Sequence, residues 1–367
     1  MNENIDEIEL KRADAEDYSC PQCGAPISYN PSTCKLECSY CGFTQEINGM
    51  KSDEEFAFED ADKNANSLWG SETKVIKCEN CGAENVVSHD TMSSTCPFCG
   101  SNQVIDTNEL VGMKPNRVIP FRINKDFARD TYSKWVKKRF FSPRPVKKQR
   151  IKVIISGVYL PIWTFDTDTF TKYDGWLGKN YTVTVGSGKN RHTEVRTRWF
   201  RISGTSEVSF DDIVVNAGVH VNQAEINRIS PFSTNDSYVY EKKYLVGFMA
   251  EHYKVKLTTA WDNAKTIAAP TIKRKILSNY SYDVVGKIDM KTNYNNIKYK
   301  YVLVPVWIGT YKYKNKLYRF LVNGETGKLA GRAPTSALKI CILVFSIVLV
   351  AIAILLFAYF TGSIEIN

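Results

Sequence analysis

The chain has 367 residues, of which 43% are hydrophobic and 24% are charged, and its formal net charge at pH 7 is +9. This composition is ordinary for a globular protein and excludes general disorder, while the length is sufficient for two or three domains. The charge is unevenly divided, because residues 1–64 carry a net −10 and the remaining residues carry +19. A basic body can bind nucleic acid, an anionic membrane surface or an acidic partner, and charge alone does not choose among these.

The first ten residues, MNENIDEIEL, are acidic and contain no apolar segment, so they do not resemble a secretory signal peptide. We expect residues 1–17 to form an acidic tail. The ten cysteines are expected to be reduced thiols or metal ligands rather than disulfides.

Four Cys-x-x-Cys pairs form two modules of the same size, which we call ribbon 1 (residues 18–47) and ribbon 2 (residues 75–106). Fourteen residues separate the second cysteine from the third in each module, which indicates an internal repeat. Each pair turns the chain so that two thiolates point inward, and a following glycine permits the tight backbone that this turn needs. The predicted metal ligands are Cys20, Cys23, Cys38 and Cys41 in ribbon 1, and Cys78, Cys81, Cys96 and Cys99 in ribbon 2.

The pattern predicts one structural zinc ion in each ribbon. Four thiolates leave no open position for water or substrate, which argues against catalytic zinc. Modules this small cannot hold a core, so the ion supplies most of their folding free energy, on the order of 10–16 kcal/mol in zinc-finger peptides. A rubredoxin-like iron site is the alternative, because its knuckles look the same. Cys34 and His89 are expected to be bystanders rather than ligands.

Residues 48–74 are predicted to form an acidic linker between the ribbons. They are poor in aliphatic residues until Leu68 and Trp69, and one frayed helix is expected over about 53–63. Such a linker would let the ribbons move independently. We expect Trp69 to contact ribbon 2.

Residues 107–335 are predicted to form a basic α+β domain, mainly an antiparallel sheet with a few helices. The first helix is expected from 125 to about 139, with Asn124 as its N-cap. Strands are expected from beyond Pro145 to TTAW at 258–261, and a second helix over about 263–278. The apolar face predicted for the first helix contains Phe127, Tyr132, Trp135 and Val136.

One segment of this domain is strongly basic. The run 134–152 has nine Lys or Arg and no acid, and three interpretations stay open: a solvated face, a surface against anionic lipid, or a nucleic-acid surface. The sequence YLPIW at 159–163 recurs as LVPVW at 303–307, which predicts packing roles for the tryptophans and two halves of one sheet domain. A tight turn is expected at Asn323-Gly324.

The sequence contains no complete motif for nucleotide hydrolysis or for acid–base catalysis. GSGKN at 186–190 and GETGK at 324–328 lack the remaining residues of a phosphate-binding loop. The four histidines form no Ser/His/Asp set and no H-E-x-x-H motif. We therefore expect no enzymatic activity and no small-molecule substrate.

Residues 340–360 contain no charge, and as a helix they would be about 31 Å long, which matches a hydrocarbon core of about 30 Å. We predict one transmembrane helix over 338–361, followed by a short extracytoplasmic tail, 362–367. Lys328, Arg332 and Lys339 precede the helix and no base follows it. By the positive-inside rule the body lies in the cytoplasm, on the inner face of the cell membrane.

The motif set as a whole resembles a known family. CxxCG, CPFCGS, VIPF, GVYLPIWTFD, YLVGFMAEHY, YVLVPVWIGTY, FLVNGETGKLAGRAP and a terminal span are similar to membrane-anchored zinc-ribbon proteins of Gram-positive bacteria. These are often labelled transcription-factor-B-type zinc-ribbon or primosomal-helicase-like proteins, and the resemblance covers about residues 75–360. It implies association with flotillin-like and phage-shock-type membrane-stress proteins.

The leading expectation is a non-enzymatic adaptor, in which the ribbons present backbone edges to protein partners at the membrane. A membrane-tethered nucleic-acid-binding protein linked to replication or transcription is the second. Ribbon 1 has Lys35 as its single base between Cys20 and Cys41, so nucleic-acid binding would have to use the run 134–152. An unrecognised enzyme in the sheet domain is the third.

Overall fold

The computed structural model shows an α+β protein. The described residues are 19–60, 73–78, 80–88, 93–99, 101–104, 113–148 and 150–360. Expectations for the acidic tail 1–17, for Trp69, for His89 and for the tail 362–367 lie outside these residues. The described part of the chain contains five α-helices and a mainly antiparallel sheet.

The elements are numbered in chain order. The helices are α1 (Lys125–Lys137), α2 (Arg144–Lys147), α3 (Gln223–Ile229), α4 (Leu257–Leu277) and α5 (Ala337–Phe360). The strands are β1 (Ile27–Asn30), β2 (Lys35–Cys38), β3 (Thr44–Glu46), β4 (Phe56–Ala57), β5 (Thr73–Lys77), β6 (Glu84–Ser88), β7 (Ser93–Thr95), β8 (Asn102–Val104), β9 (Arg117–Val118), β10 (Ile154–Val185), β11 (His192–Asn216), β12 (Tyr238–Val239), β13 (Met249–Glu251), β14 (Val284–Tyr313), β15 (Lys316–Asn323) and β16 (Leu329–Gly331). Ribbon 1 has its own sheet, β1-β2-β3, and β7 pairs with β8 in ribbon 2. The other described strands form one large sheet.

The long strands β10 and β14 form the centre of the large sheet and pair antiparallel over most of their length. Their side chains alternate between two hydrophobic clusters. Tyr159 and Trp163 lie in a cluster with residues of α1, α4 and ribbon 1, whereas Leu160 lies in a cluster with residues of α3 and ribbon 2. Because both faces are covered, the apolar runs in these strands are continuous rather than alternating.

The sheet contains two copies of one strand–helix–strand–strand unit. The first copy is β9, α1, β10 and β11, and the second is β13, α4, β14 and β15. A local two-fold axis passes near the pair Leu160↔Val304, because Pro161 pairs with Leu303 as Pro305 pairs with Tyr159. The short strand of each copy pairs parallel with the long strand of the other copy. The repeated Pro-x-Trp motifs therefore mark the two halves of the sheet.

Hydrogen bonds at the ends of the units repeat as well. The carbonyl of Ala217, after β11, accepts from the N–H groups of residues 254–255, just before α4. The carbonyl of Gly324, after β15, accepts from the N–H groups of residues 122–123, just before α1. The residues that follow β11 and β15 thus hold the segments that enter α4 and α1 through the same backbone contacts in both copies.

Helix α1 begins where the sequence predicts. The side-chain oxygen of Asn124 accepts a hydrogen bond of 2.9 Å from the backbone N–H of Phe127, as expected of an N-cap. Tyr132 and Val136 are buried, but the side chain of Phe127 is 52% exposed. The predicted apolar face is wrong at Phe127, because the buried face of the helix runs through Ala128 instead.

Helix α4 begins at Leu257, six residues before the predicted start, so residues 258–261 are helical rather than a strand. Its buried residues include Ala260, Trp261 and Ala264. Because residues three and four positions apart share one face of a helix, this spacing favours a helix over a strand. Pro270 lies inside the helix, which continues to Leu277.

The tight turn expected at Asn323-Gly324 is not found there, because residues 324–328 separate β15 from β16. The two-residue turn instead joins β14 to β15 at Lys314 and Asn315, which have φ angles of 48° and 61°. Positive φ at both central residues is what a tight hairpin turn of this kind requires.

The acidic segment after ribbon 1 runs along the sheet domain. Strand β4 pairs with β14, and Lys51 forms an ion pair of 2.6 Å with Asp236. Glu55 forms another with Lys298, at 3.3 Å. The helix expected over about 53–63 is not found at residues 53–57. In the described part of that range only Phe58–Asp60 is helical, as a short 3-10 helix. Part of the acidic segment therefore contacts the basic body.

Helix α5 is long and apolar enough over Ala337–Leu355 to cross a membrane, and none of that stretch is buried against the protein. Its first turn is attached to the loop after α1. The backbone N–H of Ser336 donates to the carbonyl of Phe141 at 2.8 Å, and the Lys339 ammonium donates to the carbonyls of Phe140 and Ser142. The start of the helix is thereby fixed to the sheet domain.

Candidate metal centres

The structure brings all eight predicted ligands together in two groups of four. In each group the sulfur atoms lie within 4.8 Å of one another. In ribbon 1 the Sγ–Sγ distances are 3.4 Å for Cys20 and Cys41 and 3.6 Å for Cys23 and Cys38. In ribbon 2 the corresponding distances are 3.6 Å for Cys78 and Cys99 and 3.6 Å for Cys81 and Cys96.

These distances fit a tetrahedral metal ion. Zinc–sulfur bonds of about 2.3 Å place tetrahedral sulfur atoms about 3.8 Å apart, close to the observed separations. The donor set of four thiols in each group is that of a structural zinc site. Such an ion would cross-link two chain segments of each ribbon. Cys34, which has a φ of 56°, and Cys341 lie outside both groups.

The backbone follows one pattern in the three knuckles whose following glycine lies in the described part of the chain. The N–H of the glycine after each described pair donates to the carbonyl of the first cysteine, at 2.8 Å for Gly24, 3.0 Å for Gly42 and 2.7 Å for Gly82. These glycines have φ angles of 73°, 75° and 72°, a conformation in which a side chain would be strained. The sequence therefore needs glycine at these positions to close the turn around the sulfur atoms.

Backbone dipoles favour the thiolate form of the buried ligand Cys38. The N–H groups of Cys41 and Tyr40 lower the pKa of the Cys38 thiol to about 7. A lower pKa favours metal binding, because the thiolate and not the thiol is the ligand. In ribbon 2, by contrast, burial raises the pKa of the Cys81 and Cys96 thiols. Lys35 pairs with Glu46 at 2.8 Å, so the base between the knuckles of ribbon 1 is already neutralised.

Ribbon 1 is fixed to the sheet domain through Tyr29. Its hydroxyl donates to the carbonyl of Phe121 at 2.9 Å, and its backbone N–H donates to the carbonyl of Val246 at 3.0 Å. Its ring contacts the rings of Tyr244 and Phe248 at centroid distances of 5.9 and 6.3 Å. These contacts attach ribbon 1 to the sheet domain, whereas the sequence led us to expect a ribbon that moves independently.

Ribbon 2 joins the large sheet directly. Its strand β6 pairs with β5 on one side and with β13 on the other, so both edges of that strand are occupied. Opposite Asn85 of β6 lies Glu251 of β13, whose side chain is buried. The N–H groups of Val219 and His220 donate to Glu251 Oε1 at 3.1 and 3.3 Å, yet burial raises the pKa of this carboxyl to about 7.

A third group of acidic residues was not foreseen from the sequence. Glu55, Asp166 and Asp212 place carboxylate oxygens within 4.8 Å of one another. The buried ammonium of Lys300 lies among them, 3.1 Å from Asp212 and 3.3 Å from Glu55. Burial and the neighbouring Glu55 raise the pKa of Asp166 to about 7. Lys300 supplies positive charge to these carboxylates, so this is an ion-pair network of partly buried acids around a buried lysine.

One sequence signal could have found this network. Lys300 stands directly before the continuous apolar run of β14, and a lysine at such a position needs carboxylate partners when it is buried. The partners themselves come from three distant segments, which no local pattern connects.

Comparison with known proteins gives a relative of similar length. The chain is 29% identical over 326 residues to a protein named "Uncharacterized protein YdjG" from Bacillus subtilis (strain 168), covering 88% of this chain and 91% of that protein. No protein-family model and no solved structure matches the chain. Because the aligned length far exceeds that of the two ribbons, the similarity extends into the sheet domain.

Proposed function

We propose that the protein is a non-enzymatic adaptor, anchored in the cell membrane by α5, that recruits protein partners at the cytoplasmic face. Each ribbon holds one structural zinc ion, which fixes its fold. The partners that fit the sequence resemblance are flotillin-like or phage-shock-type membrane-stress proteins. The topology follows from Lys328, Arg332 and Lys339, which precede α5 and favour a cytoplasmic body with an extracytoplasmic tail.

The observation that carries the proposal is an exposed aromatic surface on the hairpin of β10 and β11. Trp176 and Trp199 are each 48% exposed, and Val195 is 67% exposed. The strand register places these three side chains on one face of the hairpin. Exposed tryptophans rimmed by polar residues are typical of protein-binding surfaces.

Glycines shape this surface. A Cβ atom on Gly178 would lie 2.4 Å from Thr197 and 3.4 Å from the Trp199 ring, and one on Gly286 would lie 3.0 Å from that ring. The ring of Trp199 therefore lies close to the backbone of Gly178 and Gly286, where a side chain would crowd it. This arrangement supports the ring in a fixed position, which lowers the entropy lost when a partner binds.

The ribbons have a supporting role in this proposal. Both edges of β6 are occupied by the protein's own strands, so ribbon 2 cannot offer that strand to a partner. Each zinc ion closes its own ribbon, Tyr29 and strand β6 join the ribbons to the sheet domain, and the hairpin supplies the partner surface.

In-cell crosslinking of the full chain, followed by mass spectrometry, tests the proposal. We expect membrane-stress proteins among the crosslinked partners, with recovery several-fold lower for the double variant Trp176→Ala/Trp199→Ala. Phe127→Ala, which removes an exposed aromatic ring elsewhere, is the control and should leave recovery unchanged. Equal recovery from parent and double variant would contradict the role of the hairpin, and no crosslinked protein at all would overturn the adaptor function.

A further inference from the structure

The loop that follows α1 lies where α5 begins. Two backbone carbonyls of this loop, those of Phe140 and Ser142, each accept a hydrogen bond of 2.8 Å from the ammonium of Lys339. The carbonyl of Phe141 accepts from the backbone N–H of Ser336. If α5 is inserted in a membrane, as the proposed function requires, this loop must lie at the membrane surface, since its contacts are with the first turn of the helix.

The loop carries basic side chains for which the described part of the chain offers no carboxylate partner. We define the headgroup surface by five residues around the start of α5: Lys138, Arg139, Arg144, Lys147 and Lys148. Four of them are exposed and Lys147 is half-buried. In the described part of the chain none of the five forms an ion pair with a carboxylate.

Some other cations of the sheet domain do have carboxylate partners among the described residues. Lys300, Lys298 and Arg319 each face a carboxylate at 3.3 Å or less. Among the described residues the five cations of the headgroup surface face no carboxylate, and Arg139 lies over the Trp135 ring with its guanidinium carbon 4.0 Å from the ring centroid. A source of negative charge for this surface lies either outside the protein or in acidic segments beyond the described residues, such as 1–17.

The loop also exposes an aromatic side chain of the type found at membrane interfaces. Phe140 is 67% exposed, and the Lys339 ammonium lies 5.7 Å from the centroid of its ring. Backbone hydrogen bonds from Lys147 to Pro143 and from Lys148 to Arg144 hold the basic residues in a short turn. An apolar ring among fixed cations fits the boundary between headgroups and acyl chains.

We propose that the headgroup surface binds the phosphate groups of anionic phospholipids in the cytoplasmic leaflet. This inference rests on the proposed membrane anchoring and adds a second, electrostatic contact to it. Together the two contacts fix the orientation of the sheet domain above the bilayer, and hence the height at which Trp176 and Trp199 meet a partner. Each cation near an anionic surface strengthens binding on the order of fivefold, so five cations are sufficient to select anionic over neutral lipid.

The test uses the full chain in nanodiscs that contain either phosphatidylcholine alone or phosphatidylcholine with phosphatidylglycerol. We expect slower hydrogen exchange at residues 138–148 in the anionic nanodiscs, and loss of this protection at high salt. Phosphatidylglycerol should also be enriched several-fold over the bulk mixture among lipids that co-purify with the chain.

Two variants separate charge at this site from charge in general. Lys138→Gln, Arg139→Gln, Arg144→Gln, Lys147→Gln and Lys148→Gln combined should remove both the protection and the enrichment. The matched control replaces with glutamine five exposed bases elsewhere that form no ion pair among the described residues, and it should retain both effects. Its positions are Lys172, Lys179, Arg191, Arg198 and Lys291.

The remaining outcomes overturn the inference in distinct ways. Protection in neutral nanodiscs that disappears when residues 2–17 are deleted would show that the acidic tail occupies the surface. Protection by duplex DNA but not by phosphatidylglycerol would assign it to nucleic acid. If the parent chain is extracted from membranes by alkaline carbonate, the anchor and the proposed function fail; if it resists extraction but shows no dependence on anionic lipid, only this inference fails.

Discussion

Trp163 and Trp307 occupy equivalent positions in the two halves of the large sheet. The indole N–H of Trp163 donates to the carbonyl of Val255 at 2.9 Å, and that of Trp307 donates to the carbonyl of Ile123 at 2.8 Å. Each tryptophan thereby holds the segment that enters the helix of the other half. The tryptophans of the Pro-x-Trp motif were expected to serve packing. Their indole N–H groups also join the two halves of the sheet by hydrogen bonds.

This equivalence predicts that Trp163→Phe and Trp307→Phe destabilise the protein to a similar extent. Each change leaves a carbonyl without its donor and removes part of a buried ring, with an expected loss of about 1–3 kcal/mol. Denaturant unfolding of the detergent-solubilised chain measures the loss. Trp199→Phe is the control, since that ring is half exposed, and should change stability by less than about 0.5 kcal/mol. A large effect at one of the two buried tryptophans and none at the other would contradict the equivalence.

Features set by short stretches of sequence were the most predictable. The spacing of the knuckles and the glycines after them predicted which sulfur atoms meet, because each pair is positioned by a turn of a few residues. Asn124 likewise predicted the start of α1 through one local hydrogen bond. Helix α5 could be predicted from apolar length alone.

Features set by contacts between distant residues were not predictable in this way. The β-branched residues Thr258 and Thr259 favoured a strand, but burial of Ala260 and Trp261 on the sheet made the segment helical. The attachment of ribbon 1 depends on Tyr29 meeting Phe121, 92 positions away. The repeat of the two halves was visible only in Pro-x-Trp, because most of its shared hydrogen bonds involve backbone groups and leave no mark in the sequence.

The clusters predict two zinc ions per chain. Metal analysis of purified protein should find two zinc ions, and Cys78→Ser should reduce the number to about one, because three thiolates bind zinc far more weakly than four. Cys34→Ser is the matched control and should retain two, since Cys34 lies outside both clusters. Iron in place of zinc would favour the rubredoxin-like alternative, and no stoichiometric metal would refute both.

Tyr29 predicts how firmly ribbon 1 is held. Tyr29→Phe removes the hydroxyl that donates to Phe121 and should cost about 1 kcal/mol. We expect faster hydrogen exchange in β1 and β2 with little change in β10, because the lost contact joins the ribbon to the sheet domain. Tyr40→Phe is the control, since Tyr40 is 79% exposed. Unchanged exchange in both variants would mean that ribbon 1 is held by its other contacts.

Glu251 predicts a pH dependence of stability. Its pKa is about 7 in the folded protein against an ordinary value of 4.5, because burial outweighs the two N–H donors and the positive charge of Arg319. The folded state therefore keeps a proton that the unfolded state loses between these values. Stability from this group is fully present below pH 4.5 and is lost as the pH rises through 7, by on the order of 3 kcal/mol.

Replacing Glu251 with glutamine isolates this contribution. The amide oxygen can still accept from Val219 and His220, but the group no longer ionises. The difference in unfolding free energy between Glu251→Gln and the parent should therefore shift in favour of the variant as the pH rises from 5 to 7.5, as measured by denaturant titrations at each pH. Burial lowers the pKa values of His220 and His252, an effect of opposite sign that is common to both proteins and cancels in the difference. Parallel pH profiles for the two proteins would show that Glu251 is ionised in the folded state at neutral pH.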